Sequence, residues 1–153
     1  MGDKMGKLKA IFTILFPTIV GIIIGIITSN SINYNNLIKP PLSPPGILFP
    51  IVWTILYLLM GISYYLVIKD NKDYKGKKLY YIQLFVNALW SIIFFVLEWR
   101  FIAIIWIILL DILVILMIKS FYKESKLAAY LQIPYLLWIL FATYLTIGIY
   151  ILN

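Results

Sequence analysis

Polar and aromatic side chains recur along one stripe of the third apolar segment of the chain. Tyr80, Gln83, Asn87, Trp90 and Phe94 follow one another at spacings of three and four residues, which places them on one face of an α helix. Amides within an apolar segment are costly when they face lipid, so this face is expected to point into the protein. Two interpretations remain open. The amides hydrogen-bond to neighbouring helices, or they fix the polar edge of a flat apolar ligand held between aromatic rings.

Aromatic stripes also occur in the second and fifth apolar segments. They consist of Trp53, Tyr57 and Met60 in the second segment, and of Tyr135, Trp138, Ala142 and Leu145 in the fifth. Pro134 precedes the latter stripe and predicts a kink that opens space beside Trp138, although packing against a neighbouring helix is an equally ordinary use of such residues. Three stripes of this kind indicate a shared interior.

The residue types exclude much catalytic chemistry. The chain contains no His and no Cys, which removes the usual ligands of zinc, copper, iron–sulfur clusters and most haem irons, and also the His-dependent nucleophiles. No paired carboxylates and no Gly-rich phosphate loop are present. We therefore expect no cofactor. Asp111, in the middle of the fourth segment, is the one acidic residue at membrane depth; it is expected to be neutral or hydrogen-bonded, and a proton-coupled transporter would use such a group.

Five apolar segments must position these side chains. They cover residues 8–28, 44–68, 79–97, 101–121 and 127–151, each roughly 19–25 residues long and able to cross a hydrocarbon core of about 30 Å as a helix. Hydrophobic residues make up 63% of the chain and charged residues only 12%, which is too apolar for a soluble domain. The sequence therefore predicts an all-α fold, a single five-helix membrane domain over residues 1–153 in contact with the lipid bilayer. Ser43, Pro44 and Pro45 are expected to start the second helix.

The thirteen Lys and Arg residues predict the orientation of the helices. Eleven of them lie at the start of the first segment, in the joint after the second or around the joint after the fourth: Lys4, Lys7, Lys9, Lys69, Lys72, Lys75, Lys77, Lys78, Lys119, Lys123 and Lys126. By the positive-inside rule the N-terminus is cytoplasmic and the C-terminus lies outside, as expected in a prokaryotic plasma membrane. This distribution explains the net charge of +7 without a nucleic-acid partner.

A long polar loop joins the first two segments over residues 29–43. It contains Tyr34 and several amides that could fold over an outward-facing cavity as a lid, and a disordered loop is the competing interpretation.

Four ordered motifs resemble those of the translocator protein family, also called the tryptophan-rich sensory proteins or peripheral benzodiazepine receptors. They are KPPLSPP at 39–45, PIVWTILYLLMG at 50–61, QLFVNALWSIIFF at 83–95 and PYLLWILFATYL at 134–145. The resemblance implies a five-helix bundle, often a homodimer, with a cavity beneath the first loop that binds porphyrins and synthetic isoquinoline or benzodiazepine ligands.

Carried over residue by residue, the resemblance implies a set of ligand-binding positions. Lining of the pocket is implied for Trp53, Asn87, Trp90, Trp138 and Ala142, a place near the loop cover for Tyr34 and Pro41, and weaker roles for Tyr57 and Phe94. Some members are reported to degrade protoporphyrin in light with tryptophans of the first loop and fifth helix. Trp138 matches the second, but the first loop here has no tryptophan, and Leu42 and Ile47 replace two common ones.

The function expected from residues and resemblance together is a non-catalytic membrane receptor or sensor that binds a tetrapyrrole. Metal-free porphyrin is expected because the usual haem ligands are absent. The alternatives are a light- and oxygen-dependent porphyrin-degrading enzyme with Trp138 as the catalytic electron donor, and a small-molecule transporter that uses Asp111.

Overall fold

Helices account for all regular structure in the computed structural model, which describes residues 6–31 and 33–153; this described part holds no β strand. The α helices are α1 Lys7–Thr28, α2 Leu48–Ile68, α3 Lys77–Ser91, α4 Arg100–Glu124, α5 Lys126–Leu131 and α6 Ile133–Leu152. A π-helical turn, Ile92–Val96, continues α3, and α5 and α6 together form one apolar segment. Five segments are therefore long and apolar enough to cross a membrane, which confirms the predicted all-α five-helix bundle.

Several helix bounds differ from those expected. The second helix begins at Leu48 instead of residue 44, because the backbone at 44–47 forms a turn in which the Leu48 amide donates to the Pro45 carbonyl at 3.0 Å. A proline disfavours the helical conformation of the residue before it, so the Pro44–Pro45 pair delays the start. The third helix starts two residues earlier than predicted, at Lys77, and the fourth extends three residues further, to Glu124.

The segment predicted as one helix over 127–151 is divided at Gln132. Pro134 stands in the first turn of α6, where its missing N–H costs nothing, so the interruption falls before the proline. The Gln132 side chain is fully buried, and its Nε2 donates to Ser63 Oγ at 2.7 Å and to the Leu59 carbonyl at 3.3 Å. These bonds attach the break to α2.

Two glycines bring α1 close to α2. A side chain at Gly61 would collide with the backbone carbonyl of Ile14, and a Cβ at Gly21 would lie 2.5 Å from the Tyr57 ring. Small residues allow such approaches in membrane bundles. Gly25, which forms a small-xxx-small pair with Gly21, meets nothing within 4 Å, so only one glycine of that pair serves helix packing.

The loop between α1 and α2 is folded against α6. The Tyr144 hydroxyl donates to the Pro41 carbonyl at 2.7 Å. Asn153 Nδ2 donates to the Ile38 carbonyl at 2.8 Å, and Asn153 Oδ1 accepts from the Ile38 amide at 3.1 Å. A Cβ at Gly148 would lie 2.6 Å from Pro40. We call the end of the bundle that carries this loop the loop end.

The opposite end, which we call the lysine end, carries ten of the eleven clustered basic residues; the other one, Lys4, lies outside the described residues. The joint between α2 and α3 packs there against the end of α4. The Tyr74 hydroxyl bonds Ser120 Oγ, and Asn71 Nδ2 donates to Glu124 at 3.0 Å. Burial raises the pKa of Tyr74, while the bond to Ser120 acts in the opposite direction.

Candidate ligand-binding cavity

A cavity of about 600 Å³ lies between the loop-end halves of α1, α2 and α3. Its volume falls within the range of small-molecule sites, roughly 300–1,000 Å³. Six aromatic side chains line it: Tyr34, Phe49, Trp53, Tyr57, Trp90 and Phe95. The wall formed by described residues carries no charged side chain, so it suits an apolar ligand surface.

The aromatic residues support one another through ring contacts. Trp53 and Tyr57 are stacked with centroids 5.4 Å apart, because they are separated by four residues on α2. At the loop end Tyr34 meets Phe49 edge to face at 5.1 Å. These offset and edge contacts are the arrangements that aromatic rings prefer, so the wall presents rings in fixed orientations.

The wall contributed by α1 is made of small and aliphatic residues. Gly25 leaves open space where a side chain would stand, and Thr18 and Ile22 lie on the same side of the helix. The absence of a side chain at Gly25 therefore contributes volume to the cavity.

Both phenylalanines of the π-helical turn contact Trp90, but only one of them reaches the cavity. Phe94 is stacked on Trp90 with ring centroids 5.4 Å apart, and Phe95 meets Trp90 edge to face at 6.1 Å. Phe95 lines the cavity, whereas Phe94 is 4% exposed and packs in the core with Ala103, Ile107 and Ala142. The α-helical spacing of the sequence placed Phe94 on the inward stripe with Trp90, which agrees with its burial, but it did not indicate Phe95.

A chain of hydrogen bonds runs from the cavity wall into the centre of the bundle. The Tyr57 hydroxyl donates to Asn87 Oδ1 at 2.6 Å, and Asn87 Nδ2 donates to the Tyr135 hydroxyl at 2.8 Å. Tyr135 in turn donates to Gln83 Oε1 at 2.9 Å, and Gln83 Nε2 contacts Met60 Sδ at 3.3 Å. The two amides of α3 thus bond to α2 and α6, the arrangement of the first interpretation of this stripe. Asn87 reaches the cavity only through Tyr57.

The structure brings some of the predicted site residues together and leaves others apart. Those that line the cavity are Tyr34, Trp53, Tyr57 and Trp90; those that do not are Pro41, Asn87, Phe94, Trp138 and Ala142. Trp138 stands behind the wall, with its ring 5.8 Å from that of Phe49. Ala142 is buried with Phe94, and Pro41 lies on the exposed loop. The ligand-binding role of all nine residues stays a prediction.

Sequence reasoning missed Thr18, Gly25, Phe49 and Phe95 as wall residues. The signal for Phe49 was available, since it lies one turn before Trp53 on the same face of α2. Thr18 and Gly25 belong to a segment that is rich in isoleucine on every face of the helix. Its sequence therefore does not indicate which face of α1 borders the cavity.

A charged group, Lys39, lies beside the cavity next to Tyr34 and does not itself line the wall. Lys39 Nζ stands 4.6 Å from the Tyr34 ring centroid and donates to the Tyr34 carbonyl at 3.1 Å. The Tyr34 hydroxyl donates to the Pro44 carbonyl at 2.9 Å, and burial raises its pKa, so it remains a donor at neutral pH.

Asp111 lies outside the cavity, on α4 against α6. Thr143 Oγ1 donates to Asp111 Oδ2 at 2.7 Å, which confirms that this carboxyl is hydrogen-bonded, while Oδ1 is buried without a partner. Within residues 6–31 and 33–153 no three His, Cys, Asp or Glu residues are grouped as metal ligands.

A five-helix membrane bundle with a cavity lined by aromatic residues is the class of protein that this geometry defines. The chain belongs to the TspO/MBR family, whose family model matches residues 13–152, and it is accordingly a multi-pass membrane protein.

It is 40% identical over 153 residues to the tryptophan-rich protein TspO of Archaeoglobus fulgidus, covering 97% of this chain and 99% of that one. It is 32% identical over 110 residues to the tryptophan-rich sensory protein of Cereibacter sphaeroides, covering 72% and 70%. To protein CrtK of Rhodobacter capsulatus it is 32% identical over 133 residues, covering 84% and 83%.

Proposed function

We propose that this protein is a membrane receptor or sensor that binds a tetrapyrrole, such as protoporphyrin, in the cavity between α1, α2 and α3. The observation that supports this proposal is an uncharged wall with six aromatic rings around about 600 Å³. A flat macrocycle gains most from such a wall, because stacking and apolar burial act over its whole face. The name of the Cereibacter sphaeroides relative, a sensory protein, is consistent with a receptor.

Non-catalytic binding agrees with the chemistry of the wall. Its polar side chains are hydroxyls and indoles, which hold and orient a ligand but provide no general acid, base or nucleophile pair among the described residues. Trp138, the residue of the enzymatic alternative, is separated from the cavity by Phe49. Asp111, the residue of the transport alternative, lies on α4, which contributes no described residue to the wall.

The test is a titration of the detergent-purified protein with protoporphyrin IX in the dark, read by porphyrin absorbance because the variants lack a tryptophan. We expect saturable binding that weakens by about tenfold in Trp53→Phe, since a stacked indole of the wall is reduced to a smaller ring. Trp99→Phe is the matched control, because Trp99 is 54% exposed at the joint between α3 and α4 and does not line the cavity. An absorbance change that never saturates, or an affinity that falls equally in both variants, would refute the proposal.

A further inference from the structure

Positive charge is in large excess at the lysine end of the bundle. Within the described part of the chain, ten lysines stand there with three acidic residues, Asp70, Asp73 and Glu124. One ion pair is formed among these described residues, between Lys69 and Asp70 at 3.9 Å. Glu124 is turned toward the joint between α2 and α3, where its carboxylate accepts from Asn71 at 3.0 Å. The lysine end therefore retains most of its positive charge.

Part of this charge lies on one exposed surface, formed by the end of α4 together with α5. The rings of Tyr122 on α4 and Tyr130 on α5 meet edge to face at 6.2 Å, so both helices contribute to the same surface. Lys126 Nζ stands 5.7 Å from the centroid of the Tyr122 ring. We call this surface the tyrosine–lysine patch; its residues, all exposed, are Lys119, Tyr122, Lys123, Lys126, Leu127 and Tyr130.

The lysines of the patch lie close together without an acidic partner. Lys119 and Lys123 are four residues apart on α4, a spacing at which side chains are neighbours and like charges repel each other. Neither forms an ion pair within the described residues. Lys126 approaches from α5 and contacts the Tyr122 ring, which stands three residues after Lys119. An anion bound between these ammonium groups would offset their repulsion.

Apolar side chains continue the patch along α4 toward the middle of the membrane. Ile112, Ile115 and Leu116 are exposed and stand seven, four and three residues before Lys119, which places them on the same face of the helix. A molecule lying along this face meets apolar surface over most of its length, then tyrosine rings and ammonium groups at its end. Tyrosine is typical of the headgroup level of a bilayer, so this order matches the acyl chain and the headgroup of a lipid.

We propose that the tyrosine–lysine patch binds the headgroup of an anionic phospholipid, with an acyl chain along Ile112, Ile115 and Leu116. The ammonium groups donate hydrogen bonds to phosphate oxygens, and their charge favours a headgroup with net negative charge. A zwitterionic headgroup is disfavoured, because it brings its own cation beside the lysines. The site is separate from the cavity, so this inference does not depend on the proposed function.

The test is native mass spectrometry of the protein purified in an uncharged detergent. Phosphatidylglycerol and phosphatidylcholine with identical acyl chains are titrated separately, and the dissociation constant of the first bound lipid is measured. The patch variant is Lys119→Gln combined with Lys123→Gln. Its control is Lys7→Gln combined with Lys9→Gln, which removes the same charge from the same end, but on α1, a helix that packs on α2 and α3.

The wild-type protein is expected to prefer phosphatidylglycerol by at least about tenfold, since each lysine beside an anionic headgroup contributes roughly fivefold. The patch variant is expected to reduce that preference by about tenfold and to bind phosphatidylcholine as the wild type does. The control variant is expected to change the preference less than twofold. The unchanged affinity for phosphatidylcholine shows that the fold and the apolar face are intact.

Three results would overturn the inference. An equal loss in the two double variants would mean that charge acts over the whole lysine end and that the patch is no distinct site. No preference for phosphatidylglycerol in the wild type would leave the lysines with helix orientation as their role. Displacement of the lipid by an equal concentration of glycerol phosphate, which has no acyl chains, would identify a site for a soluble anion.

Discussion

Tyr57 and Asn87 form the bond that connects the cavity wall to the centre of the bundle, with the Tyr57 hydroxyl 2.6 Å from Asn87 Oδ1. Tyr57 also lies against the α1 backbone at Gly21 and is stacked on Trp53. Contacts with α1, α2 and α3 therefore fix the position of the Tyr57 ring in the wall, so that position depends on the packing of all three helices.

A double-mutant cycle on this pair measures how far Asn87 acts through Tyr57. Asn87→Ala leaves the buried Tyr57 hydroxyl without its acceptor and removes one of the two hydrogen bonds of the Tyr135 hydroxyl. It is expected to destabilise the protein by roughly 1–3 kcal/mol and to weaken protoporphyrin binding. In a Tyr57→Phe background the same substitution is expected to weaken binding little further, because the connection is already absent. Affinities measured for the four proteins decide the matter. Fully additive losses would mean that Asn87 contacts the ligand itself.

Filling the space at Gly25 is expected to block the cavity without disrupting helix packing. A Cβ at this position meets no atom within 4 Å, so Gly25→Leu places its side chain in the ligand space. We expect loss of saturable protoporphyrin binding with an unchanged thermal unfolding midpoint, and Gly25→Ala as control retains binding. Wild-type affinity in the leucine variant would show that the ligand occupies another site.

Trp138→Phe is expected to change dark affinity for protoporphyrin less than twofold, because Trp138 contacts Phe49 and does not line the cavity. The titration is read by porphyrin absorbance so that the lost tryptophan does not distort the signal. A loss as large as that of Trp53→Phe would place the ligand beyond Phe49. Separately, light-dependent bleaching of bound porphyrin that disappears in this variant would favour the enzymatic alternative.

Removing the Asn153 side chain is expected to free the loop from α6. Asn153→Ala deletes both bonds to the backbone of Ile38, so the Ile38 amide should exchange its hydrogen with solvent at least about tenfold faster. Hydrogen exchange followed by mass spectrometry on the peptide around residue 38 provides the measurement, and peptides of α4 serve as the internal control. Unchanged exchange would indicate that the contacts at Tyr144 and Gly148 hold the loop alone.

The chain lacks cysteine, which allows its orientation to be tested with single introduced thiols. Leu42 is 85% exposed at the loop end, and the Asp70 side chain is 86% exposed at the lysine end. If the positive-inside prediction holds, a membrane-impermeant maleimide labels Leu42→Cys in intact cells and labels Asp70→Cys only after lysis. The reverse pattern would invert the proposed topology.

The sequence predicted those features that follow from regular helical spacing. Length and polarity defined five membrane helices, and the spacing from Tyr80 to Trp90 identified the buried face of α3, all of whose members are at most 6% exposed. The same spacing placed Phe94 on this face, where it is 4% exposed, but it did not indicate Phe95, which lines the cavity from a π-helical turn that has no local sequence signature. Gly21 and Gly25 look alike in sequence, yet one packs against a ring and the other borders empty space, a difference that depends on where α2 lies.

The attachment of the loop to α6 has a consequence for assembly. Tyr34, in the roof of the cavity, belongs to a segment whose hold on the bundle includes Asn153, which lies 115 positions after Ile38. Tyr34 itself contacts Pro44 and Phe49 and can be placed once α2 has been made, but residues 38–41 cannot make their contacts until α6 has been synthesised. Attachment of that part of the loop would therefore be among the last steps of folding and would report that the bundle is complete.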